Sequence, residues 1–235
     1  MTESGFPVSN PKMIQSGTMR RLSVISVISL VLLATLPAEA RDHKLPPVRP
    51  AQSYAAVDVH AKEQVAIAAE PYDTKRMDSI FRVDYLKYGF MPVLLTITNM
   101  GNRPISLSHA RILFQTASGG LIQAAEPEDV QRRMPQTGLD QSIPTPSPIP
   151  GIHFRHKNYY QKIKQDFNTF EYQSLVVNPH STQAGFLFYD VSGIQDPLRG
   201  AHLYVSEIRN ADGQDLFSFQ VPFDKYLQAQ SKQTH

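Results

Sequence analysis

Histidines and carboxylates are the residues of this chain whose spacing invites a chemical reading. His153 and His156 lie three apart in IHFRHK, and one helical turn could bring both imidazoles to a metal ion. No third ligand stands nearby, and Arg155 and Lys157 would repel a cation, so no metal site is expected there. His60, His109, His180 and His202 are scattered and read as surface or hydrogen-bonded residues. Asp190, Asp196, Asp212 and Asp215 crowd the C-terminal part of the chain. Acid–base catalysis would need two of them close together with separated pKa values. Each has a simpler explanation: Asp190 ends a strand, Asp196 precedes Pro197 in a turn, and Asp212 precedes Gly213 in a hairpin. Asn210 to Asp215 has part of the ligand pattern of a calcium loop but lacks its full spacing and closing Glu. No G-x-S-x-G elbow, phosphate loop, dinucleotide fingerprint or H-E-x-x-H is present. The absence of cysteine excludes disulfides, thiol catalysis and cysteine-held metal. No catalytic residue and no cofactor are therefore expected.

A binding surface has better support. Tyr159, Tyr160, Phe167, Phe170 and Tyr172 stand beside Lys157, Lys162 and Lys164, a set that could line a groove for a peptide, glycan or lipid surface. The preferred reading is a helix docked on a sheet: Tyr160, Ile163, Phe167 and Phe170 share one helical face, with Lys157, Lys162, Lys164 and Asp166 elsewhere. If a partner is bound, Lys157, Tyr159, Tyr160 and Lys164 are the expected contacts. They follow Pro135–Pro150, whose five prolines in sixteen residues demand an exposed loop, and loops on a rigid scaffold commonly carry function.

The elements that would position this insertion are strands. In Pro92–Gly120, Val93, Leu95 and Ile97 fall on one face of an extended chain, with Thr96 and Thr98 on the other, wetter one. Asn99–Asn102 turns the chain, and alternation resumes through Ile105, Leu107, Ile112 and Phe114. Tyr54–Glu70 holds one or two strands, its alanines leaving a helix as competitor. Thr74–Gly89 fits either a short helix through Phe81 or a strand. Pro127–Met134 is a short helix, with Glu128 and Asp129 near its start and Arg132 and Arg133 near its end. Later strands are expected at Tyr172–Val177, Ala184–Val191, Ala201–Ile208 and Leu216–Val221, where Phe217, Phe219 and Val221 share a face, and a terminal helix at Phe223–Ala229. The fold class is all-β with minor α: an immunoglobulin-like antiparallel β-sandwich over 54–235, carrying a loop–helix insertion at 135–170.

The first forty residues read as an export signal. Arg20 and Arg21 precede the uncharged run Leu22–Leu36, and Pro37–Ala40 ends in a small-x-small pattern that sets cleavage after Ala40. That run is fifteen residues, short of the ~20 that cross a bilayer. An uncleaved anchor is the alternative, and membrane contact is expected only through it. Arg41–Ser53, with three prolines, reads as a tether. Beyond Ala40 there are 20 basic and 19 acidic side chains, a nearly neutral balance that gives no electrostatic footprint for nucleic acid.

Val93–Leu107 and Ser174–Gly193 resemble exported bacterial immunoglobulin-like domains. In particular Phe186, Phe188, Tyr189 and Asp190 are similar to the signature of the FxLYD type, with Phe188 where that pattern has Leu. The resemblance implies a fold and no catalytic residues. The expectation is an extracytoplasmic, non-catalytic protein, periplasmic or secreted, that binds an envelope protein or cell-surface component. The alternatives are a hydrolase or carbohydrate-active protein using Asp190 and Asp196, and a purely structural envelope domain.

Overall fold

A computed structural model of the chain describes residues 43–134 and 159–233. The export run, the proline-rich loop and the His153–His156 pair lie outside these residues. Ten strands occur among the described residues, and every strand pairing is antiparallel. The first sheet has the order β1 (Val57–His60), β2 (Val65–Pro71), β3 (Phe90–Asn99), β8 (Ser181–Asp190). The second runs β10 (Phe219–Pro222), β9 (His202–Ser206), β5 (Arg111–Gln115), β6 (Leu121–Gln123). A small third pair joins β4 (Ile105–Ser106) to β7 (Val176–Val177).

The alternation read in the sequence builds the sandwich. Val65, Ile67 and Ala69 of β2 and Val93, Leu95 and Ile97 of β3 pack against Phe114, Leu203, Val205, Phe219 and Val221 of the facing sheet. At one side the Gln220 N–H donates to Asp58 Oδ2 at 2.9 Å, and at the other the Ala125 N–H donates to the Phe188 carbonyl at 2.7 Å. Both edges of the sandwich are thereby tied.

The expectation of a wetter second face on β3 is overturned. All ten residues of β3 are buried, Thr96 and Thr98 included, because the outer face of the first sheet carries its own cover. Ala66, Ala68, Leu94, Phe186 and Phe188 pack there against Ile163, Phe167 and Phe170 of α3 (Tyr159–Phe170) and against Phe81, Val83 and Tyr85. The molecule is a β-sandwich with a helical third layer. Ala66 and Ala68 of β2 belong to that layer, where small side chains let other segments approach. One of these is the stretch read as a tether: Ala51 is fully buried, and its N–H donates to Thr98 Oγ1 at 2.8 Å.

Other boundaries move for local reasons. Thr74–Gly89 forms a short helix α1 (Lys75–Asp78) and a 3₁₀ turn at Leu86–Tyr88, stopped by Gly89 at φ 83°. α2 (Pro127–Arg133) begins with Pro127, and the Asp129 carboxylate accepts the Glu126 N–H at 2.9 Å. Of Tyr172–Val177 only Val176 and Val177 are strand. Phe217 precedes β10 and is 80% exposed, so it does not share the buried face of Phe219 and Val221. The terminal helix α4 runs further than expected, over Phe223–Gln233.

Gly185 permits a close approach between layers. On leaving α3 the chain makes a parallel bridge from Glu171 to Phe186, and the Tyr172 N–H donates to the Phe186 carbonyl at 3.0 Å. A Cβ on Gly185 would stand 2.5 Å from Tyr172 Cα, a clash with backbone that a rotamer change cannot relieve. Gly185→Ala is expected to destabilise the protein by about 2–3 kcal/mol, as overpacking does, measured by urea unfolding. A midpoint equal to that of wild type would refute this account of the contact.

Candidate functional site

The helical layer holds a polar cleft of about 370 Å³ between α3 and the segment Asp78–Tyr88, with Asp78, Arg82, Asp84, Lys87, Tyr159 and Lys162 among its walls. Arg82 in its wall is held by one buried carboxylate. Asp166 lies on the same side of α3 as Ile163 and Phe170 and is fully buried, which corrects its expected place among the solvent-facing lysines. The Arg82 guanidinium donates to it at 2.8 Å, the Arg82 backbone N–H at 2.9 Å and the Tyr85 hydroxyl at 3.2 Å. Burial pushes the Asp166 pKa up, and the Arg82 and Tyr85 donors pull it back. Burial and the neighbouring Asp166 keep the Tyr85 phenol protonated, so it can serve as a donor.

A second acid stands beside this anchor. Asp78 is 4% exposed, and its pKa rises to about 8, chiefly through burial, then through its hydrogen bond to the Asp84 carboxyl and the charge there. Among the described residues Asp78 Oδ1 has no N–H or O–H donor. Asp84 is exposed and its Oδ1 also accepts the Lys87 N–H at 3.1 Å, starting the 3₁₀ turn. At the mouth Tyr88 and Tyr159 are joined through their hydroxyls; burial and that contact raise the Tyr88 pKa. Lys87 Nζ lies 5.6 Å from the centroid of the Tyr88 ring.

The expected partner residues divide between two places. Tyr159 lines the cleft with Lys162. Tyr160 turns to α2, its hydroxyl donating to Glu128 Oε1 at 3.2 Å, and Lys164 Nζ sits 5.2 Å from the Tyr160 ring centroid. Lys157 is outside the described residues. Phe167 and Phe170 are core, as the docked-helix reading expects. The late carboxylates engage separate arginines: Asp190 pairs with Arg133, Asp196 with Arg199 at 3.9 Å, Asp212 with Arg103 at 2.6 Å and Asp215 with Arg209 at 3.0 Å. Asn210 Oδ1 accepts the N–H groups of Asp212 and Gln214, a turn-closing pattern in keeping with the turn reading of this stretch. His180 meets Asn102 Oδ1 at 2.8 Å, and His60 stacks on Phe219 at 3.9 Å. Among the described residues no group of three or more His, Cys, Asp or Glu is placed to hold a metal.

Sequence reasoning missed Asp78, Arg82, Asp84 and Tyr85. Asp166 was findable, since it lies three after Ile163 and four before Phe170. Its partners stand 81 and 84 residues away in a stretch with mixed periodicity, and nothing local joins them.

Two measurements test the electrostatics. Arg82→Ala leaves Asp166 buried without its cation and is expected to cost about 3 kcal/mol by chemical unfolding; a loss below about 1 kcal/mol, the worth of an exposed pair, would contradict it. Asp78 has a folded pKa above its ordinary 3.8, so the folded state holds its proton where the unfolded state has lost it. Its contribution to stability is therefore full below about pH 4 and declines as the pH rises to about 8. Asp78→Asn removes that decline and should be more stable than wild type above about pH 8, by more than about 1 kcal/mol. Parallel pH–stability curves for the two proteins would refute it. No protein-family model, curated protein or solved structure matches the chain, so its function has to be argued from this site.

Proposed function

We propose that the chain is an exported, non-catalytic protein of the cell envelope that acts by binding, its β-sandwich holding a recognition cleft on the helical layer. The observation that carries this reading is the cleft at the start of α3, where Tyr159 and Lys162 face Asp78 and Lys87 across a space of about 370 Å³, within the range of ligand sites. The cleft stands on buried supports, since Asp166, Arg82 and Tyr85 tie its two walls together beneath it. Preorganised walls of this kind bind without a large ordering cost. Export is supported by Arg20, Arg21 and the run Leu22–Leu36 before Ala40. The FxLYD-type kinship remains part of the proposal, supported by Phe186, Phe188, Tyr189 and Asp190 in sequence.

Placing a photo-cross-linking residue at Lys162 in intact cells that make the full chain tests both parts. A discrete adduct with an envelope component is expected from Lys162 and none from Leu121, which is 56% exposed on the opposite sheet. Equal labelling from both positions, or none from Lys162, would overturn the binding role. Recovery of the protein in the cytoplasm with Met1 intact would overturn export.

A further inference from the structure

The chain pairs its arginines internally and leaves two lysines of the cleft without a carboxylate. Among the described residues seven arginines each meet an aspartate or glutamate, from Arg82 on Asp166 to Arg209 on Asp215. Neither Lys87 nor Lys162 forms such a pair among the described residues, although both line the cleft. Lys87 Nζ lies 5.6 Å from the centroid of the Tyr88 ring, a contact that keeps the ammonium at the mouth. Lys162 is half-buried in the wall formed by α3, three residues after Tyr159 and on the same side of the helix. A cation that has lost part of its water without gaining a carboxylate is incompletely compensated.

The nearby acids do not answer these charges. Asp166 is fully buried and engaged by Arg82. Asp78 is 4% exposed and shows almost no surface to the cleft; burial pushes its carboxyl up to about 8, so at neutral pH it is mostly uncharged. Asp84 is exposed, and its Oδ1 accepts the Lys87 N–H at 3.1 Å. An incoming group therefore meets two ammoniums and one carboxylate, together with the hydroxyls of Tyr88 and Tyr159. A cation would be drawn by one charge and repelled by two. A neutral polyol would leave both ammoniums unanswered. An oxyanion is drawn by two charges, and its oxygens accept from ammonium and hydroxyl alike. The space of about 370 Å³ is large enough for a small organic anion.

We propose that this cleft binds an anion, the phosphate or carboxylate group of a small molecule held by Lys87 and Lys162. The inference rests on the cleft being the binding site argued above. Calorimetric titration of the full chain at neutral pH and low ionic strength with glycerol 3-phosphate and with citrate tests it. Glycerol and putrescine serve as neutral and cationic controls, and thermal unfolding is read in parallel. At least one of the two anions is expected to bind and to raise Tm with increasing concentration, the tighter of them telling phosphate from carboxylate. Added sodium chloride should weaken that binding. Lys87→Ala and Lys162→Ala should each weaken it about threefold, the worth of one partly exposed ion pair, and together about tenfold. Without ligand both variants should keep the wild-type Tm, since neither lysine has a carboxylate to lose. Lys164→Ala, whose ammonium lies by the Tyr160 ring and outside the cleft lining, should bind as wild type does. Binding of neither anion, equal binding of glycerol or putrescine, unchanged affinity in the double variant, or a loss in Lys164→Ala equal to that in Lys162→Ala would overturn the proposal. The loss of one lysine is small enough for a cross-linker at Lys162 still to report. If it captures an envelope component while neither anion binds, the anion assignment falls and the binding role stands. If no adduct forms either, both fall.

Discussion

The structure depends on a sheet that must be covered twice. β3 pairs along its whole length with β8 and over seven residues with β2, and every one of its side chains is buried. One face is met by the opposing sheet and the other by α3 with the Phe81–Tyr85 segment. Burying a large apolar side chain is worth about 2 kcal/mol, and Phe81, Phe167, Phe170, Phe186 and Phe188, each at most 2% exposed, sit in the second interface. The helical layer is therefore structural before it is anything else. Gly185, the small Ala66 and Ala68, and the docking of Ala51 on Thr98 all follow from the need to bring backbone close to that face.

Edge-on and stacked ring pairs link Phe81, Tyr85, Phe167 and Phe188, with centroids between 4.5 and 6.5 Å apart, the arrangements that ring quadrupoles favour. The Arg82–Asp166–Tyr85 cluster supplies direction, because a buried carboxylate has to keep its donors. It fixes the rotation of α3 against the Asp78–Tyr88 segment, and the polar cleft is the outer rim of that junction. The polar cleft and the helix docking thus share Arg82.

Much of this was legible in the residues. Alternation at Val93, Leu95 and Ile97, the Asn99–Asn102 turn, the charge order of α2 and the three-four-three spacing in α3 all correspond to observed elements. The second face of β3 was not legible, because Thr96 and Thr98 look the same whether water or a helix covers them. Phe217 was misplaced because its alternation with Phe219 continues one step beyond the strand. The cleft was hidden for a different reason. Its acids and base come from two stretches some eighty residues apart, one without a clear period, and hydrogen bonding of that reach leaves no trace in local spacing.

The double covering of β3 also bears on how the chain reaches its fold. Residues of β1, β2 and β3 are made first and can pair through connections of four and eighteen residues, but much of each cover arrives late: α3 begins at Tyr159 and the facing strands β9 and β10 after residue 200, while β8, which pairs with the free edge of β3, begins at Ser181. Until then a nascent three-stranded sheet shows apolar side chains on both faces and an unpaired β3 edge. Long-range pairing is slow to form and leaves such an edge open to other chains. The same burial that makes β3 the most secure strand of the finished molecule makes it the most vulnerable one during synthesis.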